Sequence, residues 1–351
     1  MKKTTQMNYM PQLDSLKLLA MLLVFSTHCY FLKLAPETSN LYSRYFVFSG
    51  IGVEFFIMIS GFFSAYTFKE IRYKDYLSKK FYRLFPVHWI CLIIGAYLLG
   101  IHCGKIPFTS PVSAALCQSL IPGCGDTNPP CWTLSTLFIL YLVTPFLNNV
   151  FRKLNSNYLL GLAVVLAVFS TIINSLLYTP TNKIMFWFLY VSPYFRVITY
   201  SIGMLVGIRA KSKEPLQCGF LKSSMREILS LVVLLGAVVI LKKAPGFWYT
   251  IPLLFLIECY GRCDIGIVSK LLSFRFIQWV SRLSFCFYLI HFPILQYVEY
   301  LVVKHNILES NKLYAILAAS FVISLVAAYL LRRFVEIPSS KYRIIKVQNK
   351  I

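Results

Sequence analysis

Acidic side chains are scarce in this chain: 13 Asp and Glu stand against 35 Lys and Arg in 351 residues. Charge of either sign is sparse too, at 14% of the chain, where a soluble domain carries about 25%. Hydrophobic residues reach 58% and mean hydropathy is +0.66. A water-soluble domain is excluded, because so few charged groups could not keep that much apolar surface out of water; lipid is the solvent that suits it. Internal repeats, low-complexity tracts and any stretch resembling a soluble domain are absent as well. No cysteine and histidine spacing resembles a zinc site, so no metal is expected. No cleavable signal peptide is expected either: Met1 to Asp14 are polar, and the first apolar run is long enough to span.

What is present is ten apolar stretches, at 16–35, 46–68, 84–102, 132–148, 158–178, 185–208, 228–242, 247–261, 276–303 and 313–331. Most approach the ~20 residues of a spanning helix; the fourth, seventh and eighth are short, as tilted, broken or partly re-entrant segments are. The net charge of +22 has two readings, a nucleic-acid-binding face or the inside-positive bias of membrane proteins. With the N-terminus inside and the loops alternating, 25 Lys and Arg fall on the inner side and 8 on the outer, leaving Lys17 and Arg196 within helices. Sorting by membrane side favours the second reading and no nucleic-acid partner. The expected fold is all-α: a polytopic membrane helix bundle of about ten transmembrane helices, both termini cytoplasmic. It is read as a single transmembrane domain over 1–351 with no appended soluble domain, in the cell membrane.

The longest non-spanning stretch, 103–131, falls on the outer side and holds Cys103, Cys117, Cys124 and Cys131. These cysteines are either two disulfides, with three possible pairings, or free thiols. Cys29, Cys91 and Cys286 lie in apolar runs and read as buried small residues.

Ionisable side chains inside spanning helices are rare and usually functional. Lys17 and His28 are eleven residues apart, about three turns, so they project from nearly one helix face some 16 Å apart. Asp14 is placed to pair with Lys17 or to cap the helix start. His28 is either a hydrogen-bonded structural histidine or a general base facing a cavity. Glu54 on the second helix comes out at about the same depth as His28, roughly 18 Å above the inner edge. It either orients that histidine or pairs with Arg196 or another buried cation. Lys80 and Arg83 close the inner loop 69–83, where they touch anionic lipid or clamp a phosphate at the mouth of a site. Arg196 and His291 either line a cavity or hold helices together; neither is assigned a chemical step.

Several segments together resemble acyltransferase family 3, membrane enzymes that move acyl groups from cytoplasmic acyl-coenzyme A onto glycans. Leu13-Asp14-Ser15-Leu16-Lys17 followed by His28 is similar to the family's basic residue, ten residues, histidine motif. The run from Gly52 through Glu54, Phe55 and Phe56 to Ser60-Gly61-Phe62 resembles its second-helix signature. Lys80-Phe81-Tyr82-Arg83, followed by Pro86, is similar to its basic-x-x-Arg motif. Trp132-Thr133-Leu134-Ser135 with Tyr141 and Pro145, the helix from Ser284 through Tyr288 to His291, and Glu336-Ile337-Pro338 complete six segments in order. Lys17 and Lys80 stand where arginine is frequent, so the charge is kept and the planar fork lost. Thr136 stands where many members have glutamate, so that carboxylate role is assigned to no residue here.

The resemblance implies that Lys17, Lys80 and Arg83 meet the phosphates of acetyl-CoA or another acyl-CoA. It also implies that His28 acts as base or nucleophile with Glu54 stabilising its charged form. The partners it implies are a glycan or lipid-linked saccharide acceptor on the outer side, and membrane lipids; it leaves the oligomeric state open. The competing class is a polysaccharide or lipid-linked sugar flippase, which also needs buried polar groups along a path but no acyl-CoA. A scaffold protein would have no reason to hold Lys17, His28 and Glu54 inside helices.

Overall fold

A computed structural model describes residues 10–32, 34, 49–103, 111–124, 127–179, 181–212, 218–241, 246–262, 265–307 and 310–341. Ten helices account for the ten apolar stretches: α1 (Pro11–Phe31), α2 (Ser49–Tyr66), α3 (Tyr73–Cys103), α4 (Trp132–Phe151), α5 (Leu159–Leu177), α6 (Pro193–Ser212), α7 (Gly219–Leu241), α8 (Thr250–Arg262), α9 (Ser284–Lys304) and α10 (Ser310–Leu331). Among the described residues, eight are long and apolar enough to cross a membrane. The other two are shorter, α2 at 18 residues and α8 at 13. The chain is a polytopic helical membrane bundle. Exposed Leu, Ile, Val and Phe side chains cover its flank, as lipid-facing surface requires.

Helix ends depart from the hydropathy pattern where charged turns extend past the apolar run. The stretch 69–83, expected as a loop, is helical from Tyr73 onward. Asp75 sits in the first turn, where a carboxylate meets exposed backbone N–H groups, and pairs with Arg72 at 2.8 Å. Lys80 and Arg83 therefore lie three residues apart on one helix face. The fourth and seventh segments are full-length helices of 20 and 23 residues. Polar residues opening α7 hid its true start. There Glu227 accepts hydrogen bonds from the N–H groups of Gly266, Val268 and Ser269, capping the short helix Ile267–Leu272.

The middle of the bundle is α6. Of its spanning segment 78% lies inside the protein, against 17% for α7 and 22% for the last, so those two face lipid. The most extensive helix contact is α2 against α6. Gly203 and Gly207 make a Gly-x-x-x-Gly face that meets the backbone of Met58 and Phe62, and Gly61 meets the backbone at Tyr200. Without an apolar driving force between helices in lipid, such small residues let backbones approach closely. The pairs advance together along both helices, so α2 and α6 run parallel, as alternate crossings of the helices between them require.

The described residues 111–124 and 127–131 are folded into the bundle rather than left as an outer loop. Ser113, Leu116, Gln118, Ser119, Asn128, Pro130 and Cys131 are buried. Hydropathy missed this because the segment is short and polar; the N–H groups of Ala115, Leu116, Cys117, Ser119, Leu120 and Cys131 find partners within protein, the condition for irregular chain at membrane depth. His88 holds Ser113 O at 2.8 Å. Pro293 in α9 has no N–H for the carbonyl of Leu289, and Asn128 Nδ2 donates to that carbonyl at 2.7 Å. Cys117 carries a free thiol. The side chain of Cys103 and the loop cations Lys33, Arg44, Lys105, Lys213, Lys242 and Lys243 lie outside the described residues.

Candidate active site

Two apolar clusters fill the interior, one built on α2, α6 and α8, the other on α1, α3, α9 and α10. Phe56, Tyr141 and Tyr288 pack against both. All three line a cavity of about 110 Å³ at this seam, together with Lys17, Lys80 and Arg83. A cavity between helices is the usual site of a bundle protein. Lys17 was picked out from one segment and Lys80 and Arg83 from another; folding brings the three to one space because α1, α2, α3, α4 and α9 surround it.

The three cations are not equally engaged. Lys17 Nζ pairs with Asp14 at 2.6 Å and lies 4.7 Å from the Phe63 ring centre. Lys80 Nζ stands 3.7 Å over the ring of Tyr141 and 5.4 Å from Tyr76. A ring face attracts a cation but does not neutralise it. The ion pairs among the described residues include neither Lys80 nor Arg83. The cavity thus presents two uncompensated positive groups, one half-buried and one exposed at the rim, which is the donor set for an anionic group such as a phosphate.

At the inner end of the cavity, the hydroxyl of Tyr288 donates toward Thr133 Oγ1 at 2.9 Å and Pro130 O at 3.0 Å. Its ring stands 5.8 Å from Phe56 and 5.8 Å from His291. One turn further along α9, His291 meets His28 of α1: Nδ1 of His28 and Nε2 of His291 are 2.8 Å apart. The rings lie 5.1 Å apart at 23°. Phe25, Phe287 and Phe292 surround the pair. His28 and His291 are not on the cavity wall; Tyr288 and Phe56 stand between. His291 is the group that sequence reasoning left without a chemical part.

Glu54 is elsewhere. Its carboxylate is fully buried, with one oxygen on Arg196 and the other accepting from Thr199 at 2.8 Å and Thr250 at 2.9 Å. Arg196 Nε donates to Tyr190 O at 2.7 Å, and the guanidinium stacks 4.7 Å from the Tyr190 ring. Glu54 thereby ties α2, α6 and α8 together. The expectation that it orients His28 is corrected: equal depth does not make two helices face each other, and Arg196 claims the carboxylate because a buried cation needs one. The hydrogen-bond partner of His28 is His291.

The helices, the cavity and its donor set describe a polytopic membrane protein with a pocket suited to an anionic group. The family described as acyltransferase domain, acyltransferase family 3, matches residues 10–333, and the chain belongs to it. It is also similar to "Acyltransferase MdmB" of Streptomyces mycarofaciens, 23% identical over 324 residues, covering 82% of this chain and 79% of that protein. No solved structure matches.

Proposed function

We propose that the chain transfers an acyl group, acetyl, from acyl-CoA bound on its basic, cytoplasmic side to a hydroxyl of a surface or lipid-linked glycan on the other side of the cell membrane. One observation carries this reading: Lys17, Lys80 and Arg83 converge on a single cavity whose wall residue Tyr288 is one helical turn from the His28–His291 pair. The cations bind the phosphates of the donor at the mouth, Lys80 and Arg83 foremost because among the described residues neither forms an ion pair with a carboxylate. The acyl-bearing arm reaches inward past Phe56 and Tyr288. His28 takes the proton of the acceptor hydroxyl. The hydroxyl oxygen bonds to the acyl carbon, the carbon–sulfur bond breaks, and the thiol leaves with the proton that His28 returns. Holding donor and acceptor on either side of one buried group makes proximity the largest effect. Inside-positive charge supports ten crossings with both termini inside.

The test is mass spectrometry of surface glycans from cells with the protein, without it, and with His28→Ala at matched membrane level. The protein adds one acyl mass to a glycan, and His28→Ala removes it. Acylation undiminished in His28→Ala would refute the catalytic assignment. Glycan moved across the membrane with no acyl-CoA requirement would indicate a flippase.

A further inference from the structure

His291 is wholly buried, and its surroundings determine where its hydrogen sits. Nδ1 lies 2.9 Å from the carbonyl oxygen of Tyr288 and 3.1 Å from that of Phe287. Carbonyl oxygens only accept, so Nδ1 carries the hydrogen. A neutral imidazole has a single N–H, which leaves Nε2 bare. That bare nitrogen is 2.8 Å from His28 Nδ1. Two lone pairs at this distance would repel, so His28 Nδ1 must donate. The hydrogen on His28 is then used on the side facing His291, and its other nitrogen, Nε2, holds the lone pair. The orientation is held from several sides. The Phe287 ring stacks on His291 at 5.7 Å and 5°, Phe292 stands edge-on to His28 at 5.0 Å, and Asn128 restores the hydrogen bond that Pro293 removes two residues before His291.

We propose that His291 is the positioning residue for His28: it accepts the hydrogen of His28 Nδ1, holding that ring in the one tautomer whose Nε2 can take a proton from the acceptor hydroxyl. This rests on the acyl-transfer reading above. The partner of a catalytic histidine is commonly a carboxylate; here the only acid expected nearby, Glu54, is committed to Arg196. A neutral acceptor takes that place and does the same orienting work without burying a negative charge. When His28 gains its second proton, the N–H···N bond persists and the charge spreads over two rings.

A plain bridge between α1 and α9 would hold helices together without selecting a tautomer. The experiment separates the two. Labelled acetyl-CoA is supplied to inside-out membrane vesicles that contain the native acceptor, and incorporation is followed against donor concentration. His291→Phe, which keeps a ring but cannot accept, lowers apparent kcat by roughly 10²- to 10⁴-fold with KM for acetyl-CoA held within about twofold. His291→Gln, whose Oε1 accepts the same hydrogen, recovers about tenfold or more of that loss. Undiminished kcat in His291→Phe, equal losses in the two variants, or a loss confined to KM would overturn the proposal. Solid-state nitrogen NMR of the histidine-labelled parent protein, assigned by difference from His28→Asn, reads the tautomer even where a variant fails to fold. It should find His28 protonated at Nδ1 and bare at Nε2; the reverse would overturn the proposal. An active His28→Ala sinks the catalytic assignment of His28 on which this inference rests, whereas an inactive His28→Ala beside an active His291→Phe sinks this inference alone.

Discussion

Replacing Gly203 by alanine drives apart the two helices that hold Glu54. A Cβ at Gly203 would stand 1.9 Å from Met58 O, 2.8 Å from Met58 C and 3.0 Å from Phe62 N. All three are backbone atoms of α2, so no side-chain rotation relieves the clash. Ordinary contact begins near 3.5 Å, and α6 must retreat by about 1.5 Å to reach it. Thr199 and Arg196 lie one and two turns earlier on the same face of α6. The Thr199–Glu54 bond of 2.8 Å passes out of hydrogen-bond range, at a cost of about 1.5–3 kcal/mol for a bond to a charged group. Full separation of the Arg196–Glu54 pair costs about 3–5 kcal/mol, because both charges are left buried. Gly203→Ala therefore destabilises by about 2–5 kcal/mol. Gly236 on α7 has open space where its Cβ would be, so Gly236→Ala is the control and leaves stability unchanged or slightly raised. Fluorescence-detected thermal unfolding in detergent measures both. A Gly203→Ala protein that melts with its parent would show that the seam has slack, and the account of α2 and α6 would fail.

Lys80→Met keeps the aliphatic stem and removes the charge; with a charge-assisted contact to a phosphate lost, the donor binds about 10- to 100-fold more weakly while protein level holds, as titration of the purified protein with acetyl-CoA would measure. Arg83→Ala weakens donor binding in the same direction, and unaltered affinity in both variants would refute the phosphate clamp. Glu54→Gln leaves Arg196 buried without its counter-charge and lowers stability by roughly 3–5 kcal/mol; wild-type melting with an isolated loss of turnover would instead return Glu54 to the chemistry. Asn128→Leu strands the Leu289 carbonyl beside Pro293, costing about 1–3 kcal/mol, and thermal unfolding that matches the parent would show another donor taking its place.

Much of this molecule is legible before folding. Ten apolar runs and the sorting of lysine and arginine mark a polytopic bundle, because spanning length and the cost of charge in lipid act on each segment separately. Lys17, Lys80, Arg83 and His28 stand out for the same reason: an ionisable group beside or within an apolar run is conspicuous in one dimension. Which of them meet is decided by how helices turn toward one another. Equal depth suggested Glu54 for His28. Depth ranks groups along the membrane normal but gives no means of choosing which of them face each other. Rotation of each helix about its own axis chose, through the Gly203–Gly207 face that turns Arg196 onto Glu54 and the parallel contact of α1 with α9 that sets His291 against His28. The burial within 111–124 and 127–131 was hidden for a related reason: polar residues enter a membrane interior only when partners from distant helices wait there, and Leu289 O for Asn128 is one such partner that no local pattern announces. The sequence by itself determined the solvent, the number of apolar segments and the inventory of costly polar groups; the tertiary structure alone determined the pairings among those groups, because a pairing depends on helix rotation and neighbour choice, which no single segment encodes.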